Sequence, residues 1–271
     1  QIPNSASSSP PQYDILVMPS TEKVFPEVEA LPGARPNPAH LSLARNEYEA
    51  VQLVLRSQTT PLVQVTVEPS PLHQVNGAGT IARRHISWSP VGFVKTKKAS
   101  YNVPHVGWWP DILPEAAPFD VKQRWWQPIW LTVFVPPGTP PGEYRGIVTI
   151  RPANAQAQQV QLVVTVWDFE LPTTPTLKTA FDVYPSRIHS AYSTFFPQWW
   201  DAWKSRLGGT ELLEQRFYDD LIRHRLAPIL NMEPNRPEVV RYLGRMREQG
   251  LSAFAIGPHI GSFDSNWPKD P

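Results

Sequence analysis

The sequence predicts two successive folds: an N-terminal antiparallel β-sandwich, then an incomplete (β/α)8 TIM-barrel segment. Three observations carry that expectation. Short runs of alternating apolar and polar residues continue as far as Leu171. The chain holds 32 prolines, often paired, as at Pro136-Pro137 and Pro140-Pro141. That is about double the usual share of roughly 5%, and proline, lacking a backbone donor, punctuates strands rather than filling helices. Beyond the Leu171 to Pro175 segment the pattern becomes β-α-β-α-β, the order of a parallel sheet with crossover helices.

The sandwich elements follow from period 2. Val63, Val65 and Val67 alternate with Gln64, Thr66 and Glu68. Val160, Leu162, Val164 and Val166 share one face of another run, and residues 50–55, 129–135 and 146–150 are equally strand-like. Pro-Gly turns separate these runs. The Pro/Thr segment after Leu171 marks a domain boundary, giving a Ser/Pro-rich tether over 1–11, a sandwich over 12–173 and the first barrel units over 174–271. In the last of these, residues 177–183 predict a strand. Thr210 caps a helix carrying Leu213, Phe217, Leu221 and His224. Residues 227–231 predict a strand, Asn235 and Glu238 a capping box before a helix that stops at Gly250, and residues 251–256 a third strand. A complete barrel takes about 250 residues, so residues 174–271 are expected to be completed by the remainder of the barrel or by another chain.

Composition excludes several classes. The chain carries 25 Lys plus Arg against 24 Asp plus Glu, a balance that offers no basic face for nucleic acid. It has no cysteine, so thiolate metal sites and disulfides are absent. The seven histidines show no ligand spacing with carboxylates, and no phosphate loop, dinucleotide fingerprint or nucleophile elbow occurs. No metal and no cofactor is expected, and no apolar run reaches the roughly 18 residues of a membrane span. The opening Ser/Pro tether predicts an exported protein, extracellular or periplasmic, with its signal already removed.

Several phrases, taken together, resemble the glycoside hydrolase family 123 group. They are residues 43–55 (LARNEYEAVQLVL), 109–114 (WPDILP), 127–133 (QPIWLTV), 137–146 (PGTPPGEYRG), 166–172 (VWDFELP) and 217–228 (FYDDLIRHRLAP). The resemblance implies a non-catalytic sandwich followed by a catalytic barrel that removes terminal N-acetylgalactosamine. It implies substrate-assisted hydrolysis, in which the acetamido group attacks and an adjacent Asp-Glu pair supplies the acid and stabilises the oxazolinium ion. No Asp-Glu dipeptide occurs in the 271 residues, so the pair is expected downstream of Pro271 and this chain alone is expected to be inactive.

Barrel sites gather at the carboxyl ends of the strands. Those ends carry Asp182 and Tyr184, then Asn231 and Glu233, then His259 and Asp264, all able to hydrogen-bond sugar hydroxyls. Adjacent helical residues diverge, so one of Asp219 and Asp220 is expected to be solvated. Trp199, Trp200 and Trp203 suit the buried face of a short helix. Trp108-Trp109 and Trp125-Trp126 are expected to cover the sandwich edge or a domain interface. The sequence therefore predicts the N-terminal part of a β-N-acetylgalactosaminidase-like hydrolase with a glycan partner; the alternative is a non-catalytic carbohydrate-binding or structural surface module.

Overall fold

The computed structural model describes residues 13–98, 102–103, 105–195, 200, 202, 205, 210–229 and 237–253. The chain divides into two compact units, Gln1–Leu171 and Pro172–Pro271.

The first unit is a β-sandwich. Its strands run in chain order β1 (Tyr13–Pro19), β2 (Ala39–Arg45), β3 (Glu47–Ser57), β4 (Leu62–Pro69), β5 (Leu72–Gln74), β6 (Thr80–Ile81) and β7 (Ile86–Pro90). They continue as β8 (Phe93–Lys95), β9 (Trp108–Pro110), β10 (Phe119–Val121), β11 (Gln127–Val135), β12 (Gly142–Arg151) and β13 (Gln158–Glu170). One sheet has the order β1-β3-β11-β7, all antiparallel. The other runs β10-β4-β12-β13-β2, with β5 attached to β12 and β6 to β5. It is antiparallel except where β13 meets β2 in parallel. Strands β8 and β9 form a separate hairpin.

Alternation builds the core between these sheets. Ile129, Leu131, Val133 and Val135 of β11 point inward and are fully buried. Ile129 pairs with Leu53 and Leu131 with Val51 of β3, so the cross-strand partners share that face. From the opposite sheet Val65, Tyr144, Val148, Ile150, Leu162 and Val164 complete the same cluster. Each such side chain contributes about 1.5–3 kcal/mol through burial. A smaller cluster of Met18, Val24, Val54 and Trp126 covers the outer face of the first sheet. There Gln52, buried in an apolar setting, donates to the carbonyls of Pro19 and Glu22 at 2.8 Å each, so its amide is satisfied.

Strand β4 departs from the expected alternation. Val63 is exposed, whereas Leu62, Val65 and Val67 are buried. Gln64 takes φ +50°, and the β10–β4 register slips beside it, with Phe119 opposite Val65 but Val121 opposite Leu62. The bulge turns Val63 outward and sends Leu62 into the core.

The phrase at residues 43–55 is a tight corner joining β2 to β3. Asn46, at φ +59°, turns the chain and donates through Nδ2 to the Leu171 carbonyl at 2.9 Å. The Ala44 N–H donates to the Glu47 carboxylate at 2.6 Å, and Arg45 lies 3.2 Å from Asp168 and 3.8 Å from Glu170. The phrase at 137–146 is a second turn. Gly138 (φ +72°) and Gly142 (φ +134°) occupy conformations that favour glycine, and the Tyr144 hydroxyl donates to the Pro140 carbonyl at 2.7 Å. Gly138 N–H also donates to Glu170 at 3.0 Å, bringing the second turn to the end of β13.

The second unit contains β14 (Phe181–Asp182), α1 (Pro185–Phe195), α2 (Thr210–Arg223), β15 (Pro228–Ile229) and α3 (Pro237–Glu248). Strands β14 and β15 pair in parallel, as a β-α-β crossover requires. A (β/α)8 barrel segment is not seen among the described residues: one two-stranded parallel pair with helices is present. The first strand is shorter than the sequence predicts. Leu177 is exposed, and the Thr179 hydroxyl, rather than a ladder carbonyl, accepts the Ala227 N–H at 2.8 Å. Residues 251–253 form no strand, and 254–256 lie outside the described residues.

Helix α2 buries Leu213, Tyr218 and Ile222. Phe217 and His224 of the predicted stripe are instead exposed, so the inward face is rotated by about one residue from the i, i+4 reading. Tyr218, Ile222 and Met246 form the core of this unit, with Val183, Leu243 and Leu251 against it. Helix α3 ends at Gly250, φ +106°, where Leu251 N–H returns to the Met246 carbonyl at 2.9 Å and satisfies a terminal acceptor.

Candidate functional site

Of the six predicted binding residues, Asp182 and Tyr184 are described; Asn231, Glu233, His259 and Asp264 lie outside the described residues. Asp182 is the last residue of β14, opposite Ile229. The Phe181 N–H donates to the Ala227 carbonyl at 2.9 Å, which fixes the strand end. Tyr184 follows two residues later, at the entry to α1, and its carbonyl accepts the N–H groups of Arg187 and Ile188.

Both side chains are exposed, and the Tyr184 hydroxyl donates to Asp182 Oδ2 at 3.3 Å. Desolvation, followed by the Asp182 charge and its hydrogen bond, pushes the Tyr184 phenol up from 10.0, while Arg187 acts in the opposite direction. The phenol is therefore a donor across the neutral range. Beside it the carboxylate offers acceptor positions. With the phenol proton on Asp182, the two groups together present acceptor oxygens that suit sugar hydroxyls or an acetamido N–H.

Elsewhere in this unit polar contacts tie the helices to one another. His189 Nε2 of α1 lies 2.9 Å from Glu214 Oε1 of α2. Asp219 Oδ1 is 3.6 Å from Arg245 of α3, while Asp220 is solvent-exposed beside Arg223 and His224. The two adjacent aspartates thus diverge. Burial, then the Glu214 charge, pushes the Tyr218 phenol up to about 12. Trp200, half-buried, lies 6.0 Å from the His189 ring and 6.3 Å from that of Tyr192. The His189–Glu214 and Asp219–Arg245 contacts join residues 25 and 26 apart in sequence and leave no periodic signal. Trp199 and Trp203 lie outside the described residues. Among the described residues no three His, Asp or Glu side chains converge as a metal site. No described helix is long and apolar enough to cross a membrane.

Residues 37–152, within the sandwich, match the glycoside hydrolase 123 N-terminal domain. Over those residues the chain is glycoside hydrolase 123-like. Its fold is similar to that of a family 123 glycoside hydrolase from Clostridium perfringens, studied for glycolipid glycan hydrolysis. That likeness has a TM-score of 0.64 at 14% identity and covers 80% of this chain but 37% of the other. The 123-like chain therefore spans little more than a third of that enzyme's length. A weaker likeness, TM-score 0.29 at 12% identity, is to the SrpA adhesin of Streptococcus sanguinis, covering 72% of this chain and 80% of that one. No curated protein matches the chain.

Proposed function

We propose that the chain is the amino-terminal part of an exported glycoside hydrolase acting on N-acetylhexosamine-containing glycans, and that its second unit opens a (β/α)8 barrel. One observation carries this proposal. The likeness to the Clostridium perfringens enzyme covers 80% of 271 residues, more than the whole of the first unit, so it runs on into the second. The parallel β14–β15 pair, with helices between its strands, supports a β/α succession there.

In this proposal Asp182 and Tyr184, at the carboxyl end of β14, hold sugar hydroxyls or the acetamido group. The carboxylate accepts from a hydroxyl or amide N–H, and the phenol oxygen, whose own proton lies on Asp182, accepts from a second hydroxyl. No adjacent Asp-Glu occurs among the 271 residues. The acid that protonates the leaving oxygen, and the carboxylate that steadies the oxazolinium ion, come from outside them. Hydrolysis then proceeds by attack of the substrate's acetamido oxygen on the anomeric carbon, expulsion of the protonated leaving group, and opening of the oxazoline by water.

A glycan array probed with the 271-residue chain tests the ligand class. Retention on N-acetylhexosamine-terminated glycans, weakened about tenfold by Asp182→Asn as loss of one charge-assisted hydrogen bond implies, is expected. Retention indifferent to Asp182→Asn, or none on this glycan class, contradicts the proposal.

A further inference from the structure

The two tryptophan pairs of the sandwich each divide their labour. In the β8–β9 hairpin Lys95 pairs with Trp108 and Val94 with Trp109, so alternation puts Lys95, Trp108 and Phe93 on one face and Trp109 on the other. Trp109 packs edge-on to Phe25, with ring centroids 5.2 Å apart, and donates its indole N–H to the His105 carbonyl at 3.2 Å. Trp126 is buried against Val54 and donates to the Val28 carbonyl at 2.9 Å. These two are satisfied structural residues.

Trp108 and Trp125 differ. Both are half-buried, with ring centroids 5.6 Å apart in an edge-on arrangement, and Phe93 lies 5.8 Å from Trp125. Among the described residues no protein acceptor takes either indole N–H. Together with Phe119 they line an open cavity of about 290 Å³, at the small end of the roughly 300–1,000 Å³ of ligand pockets.

The charge around this cavity has a sign. Lys122 Nζ sits 4.1 Å from the Trp125 ring centroid and 5.5 Å from that of Trp108, and Lys95 Nζ sits 5.5 Å from Trp108. Both lysines are exposed. The one acidic residue in the lining, Asp120, already accepts the Gln64 N–H through Oδ1 at 2.8 Å. Gln127 has its amide donors on the Val91 and Pro128 carbonyls and offers only its oxygen. The cavity thus combines aromatic faces, two indole donors without a protein acceptor and the Lys122 ammonium, with the Lys95 ammonium beside Trp108.

We infer that the Trp108–Trp125 cavity is a binding site for a carboxylate-bearing sugar of a glycan. The apolar C–H face of the pyranose lies on an indole, the indole N–H groups meet ring hydroxyls, and Lys122 and Lys95 pair with the carboxylate. The two ammonium groups outnumber the one carboxylate, that of Asp120, so the net charge favours an anionic sugar over a neutral one, and the indole donors favour a hydroxylated ligand over a purely apolar one. The inference rests on the proposed glycan-directed function for the class of ligand. It adds a site on the sandwich, built from residues that the proposed strand-end site does not use.

The test is ligand-observed magnetic resonance and calorimetry on the 271-residue chain, with the methyl glycosides of glucuronic acid and N-acetylneuraminic acid as probes and methyl glucoside, which lacks both the carboxylate and the acetamido group, as the neutral comparison. Binding of at least one acidic glycoside, about tenfold or more tighter than the neutral one, is expected, and weakening as salt rises. Lys122→Gln should lose about tenfold for the acidic probe and leave neutral binding unchanged; Trp125→Ala should abolish acidic binding; Trp125→Tyr, which keeps an aromatic face, should retain part of it. Neutral and acidic glycosides bound equally, no acidic binding at all, or acidic binding indifferent to Lys122→Gln each overturn the inference. Should Trp125→Ala fail to unfold cooperatively, Lys122→Gln, at an exposed position, decides. Loss of this site with Asp182-dependent retention of N-acetylhexosamine glycans intact removes the inference and leaves the proposed function standing; the reverse result removes the proposed function alone.

Discussion

Asp120 Oδ1 accepts the backbone N–H of Gln64 at 2.8 Å, and this bond steadies the bulge that sets which side of β4 faces the core. Gln64 sits in the left-handed region, which costs a non-glycine residue roughly 1–2 kcal/mol. Both side chains are exposed, so the hydrogen bond competes with water. Asp120→Ala is expected to lower stability by about 0.5–1.5 kcal/mol. Gln64→Val, β-branched in that conformation, should cost about 2 kcal/mol or more, whereas Gln64→Gly should be neutral or slightly stabilising. Chemical denaturation of the four proteins checks the order. Equal stability of Gln64→Val and the parent would show that the bulge is not a fixed feature.

The β2–β3 corner makes a second expectation. Asn46 supplies the turn at φ +59° and the 2.9 Å bond to the Leu171 carbonyl, and the Leu171 N–H returns to Arg45 at 2.9 Å. Asn46→Gly keeps the turn and loses the side-chain bond; Asn46→Ala loses both. Costs of about 1 and about 2 kcal/mol follow. Asp168→Asn removes a contact whose carboxylate is 80% exposed, and should cost well under 1 kcal/mol. Thermal denaturation of the three variants distinguishes turn from ion pair.

Tyr13 gives a pH dependence. Its hydroxyl donates to the Ile150 and Gln156 carbonyls at 3.2 and 3.1 Å, and burial pushes the phenol from 10.0 to about 12, against the opposing effect of a backbone contact at Gln158. The folded pKa is raised, so this stabilisation is complete below pH 10 and disappears as pH rises through about 12. About two units correspond to roughly 2–3 kcal/mol. Tyr13→Phe should be less stable at neutral pH yet lose stability less steeply between pH 10 and 12. A parallel pH profile for the two proteins would contradict this origin.

Residues 12–173 expressed alone should unfold in a single cooperative transition. The 26 buried residues of the main core all lie within the sandwich, as does the sheet ladder around them. Differential scanning calorimetry checks this; a broad, non-cooperative trace would contradict it.

Much of the sandwich was legible because period 2 survives in β11 and β13, where Ile129 to Val135 and Val160 to Val166 point inward as their spacing predicts. Strand β4 was not, because a single positive-φ residue shifts the phase and no sequence rule marks glutamine as its site. In α2 the apolar stripe misled by one position, since Tyr218 rather than Phe217 enters the core. At the strand end, Asp182 closes an apolar run and Tyr184 comes two residues later, a spacing legible in the sequence, and the two side chains meet. The His189–Glu214 contact and the Trp108–Trp125 cavity were hidden for a different reason. Each joins segments whose proximity depends on the assembled fold, and adjacent tryptophans do not reveal which ring is satisfied.

Release of sugar tests the central claim most directly. The protein encoded by the whole gene should liberate N-acetylgalactosamine from an aryl β-N-acetylgalactosaminide and from a glycan ending in that sugar. The 271-residue chain, which has no adjacent Asp-Glu, should not do so. Turnover by the whole protein, reduced by Asp182→Asn, with none from the 271-residue chain, is the predicted result; no release of any N-acetylhexosamine by the whole protein, or turnover by the 271-residue chain itself, would contradict it.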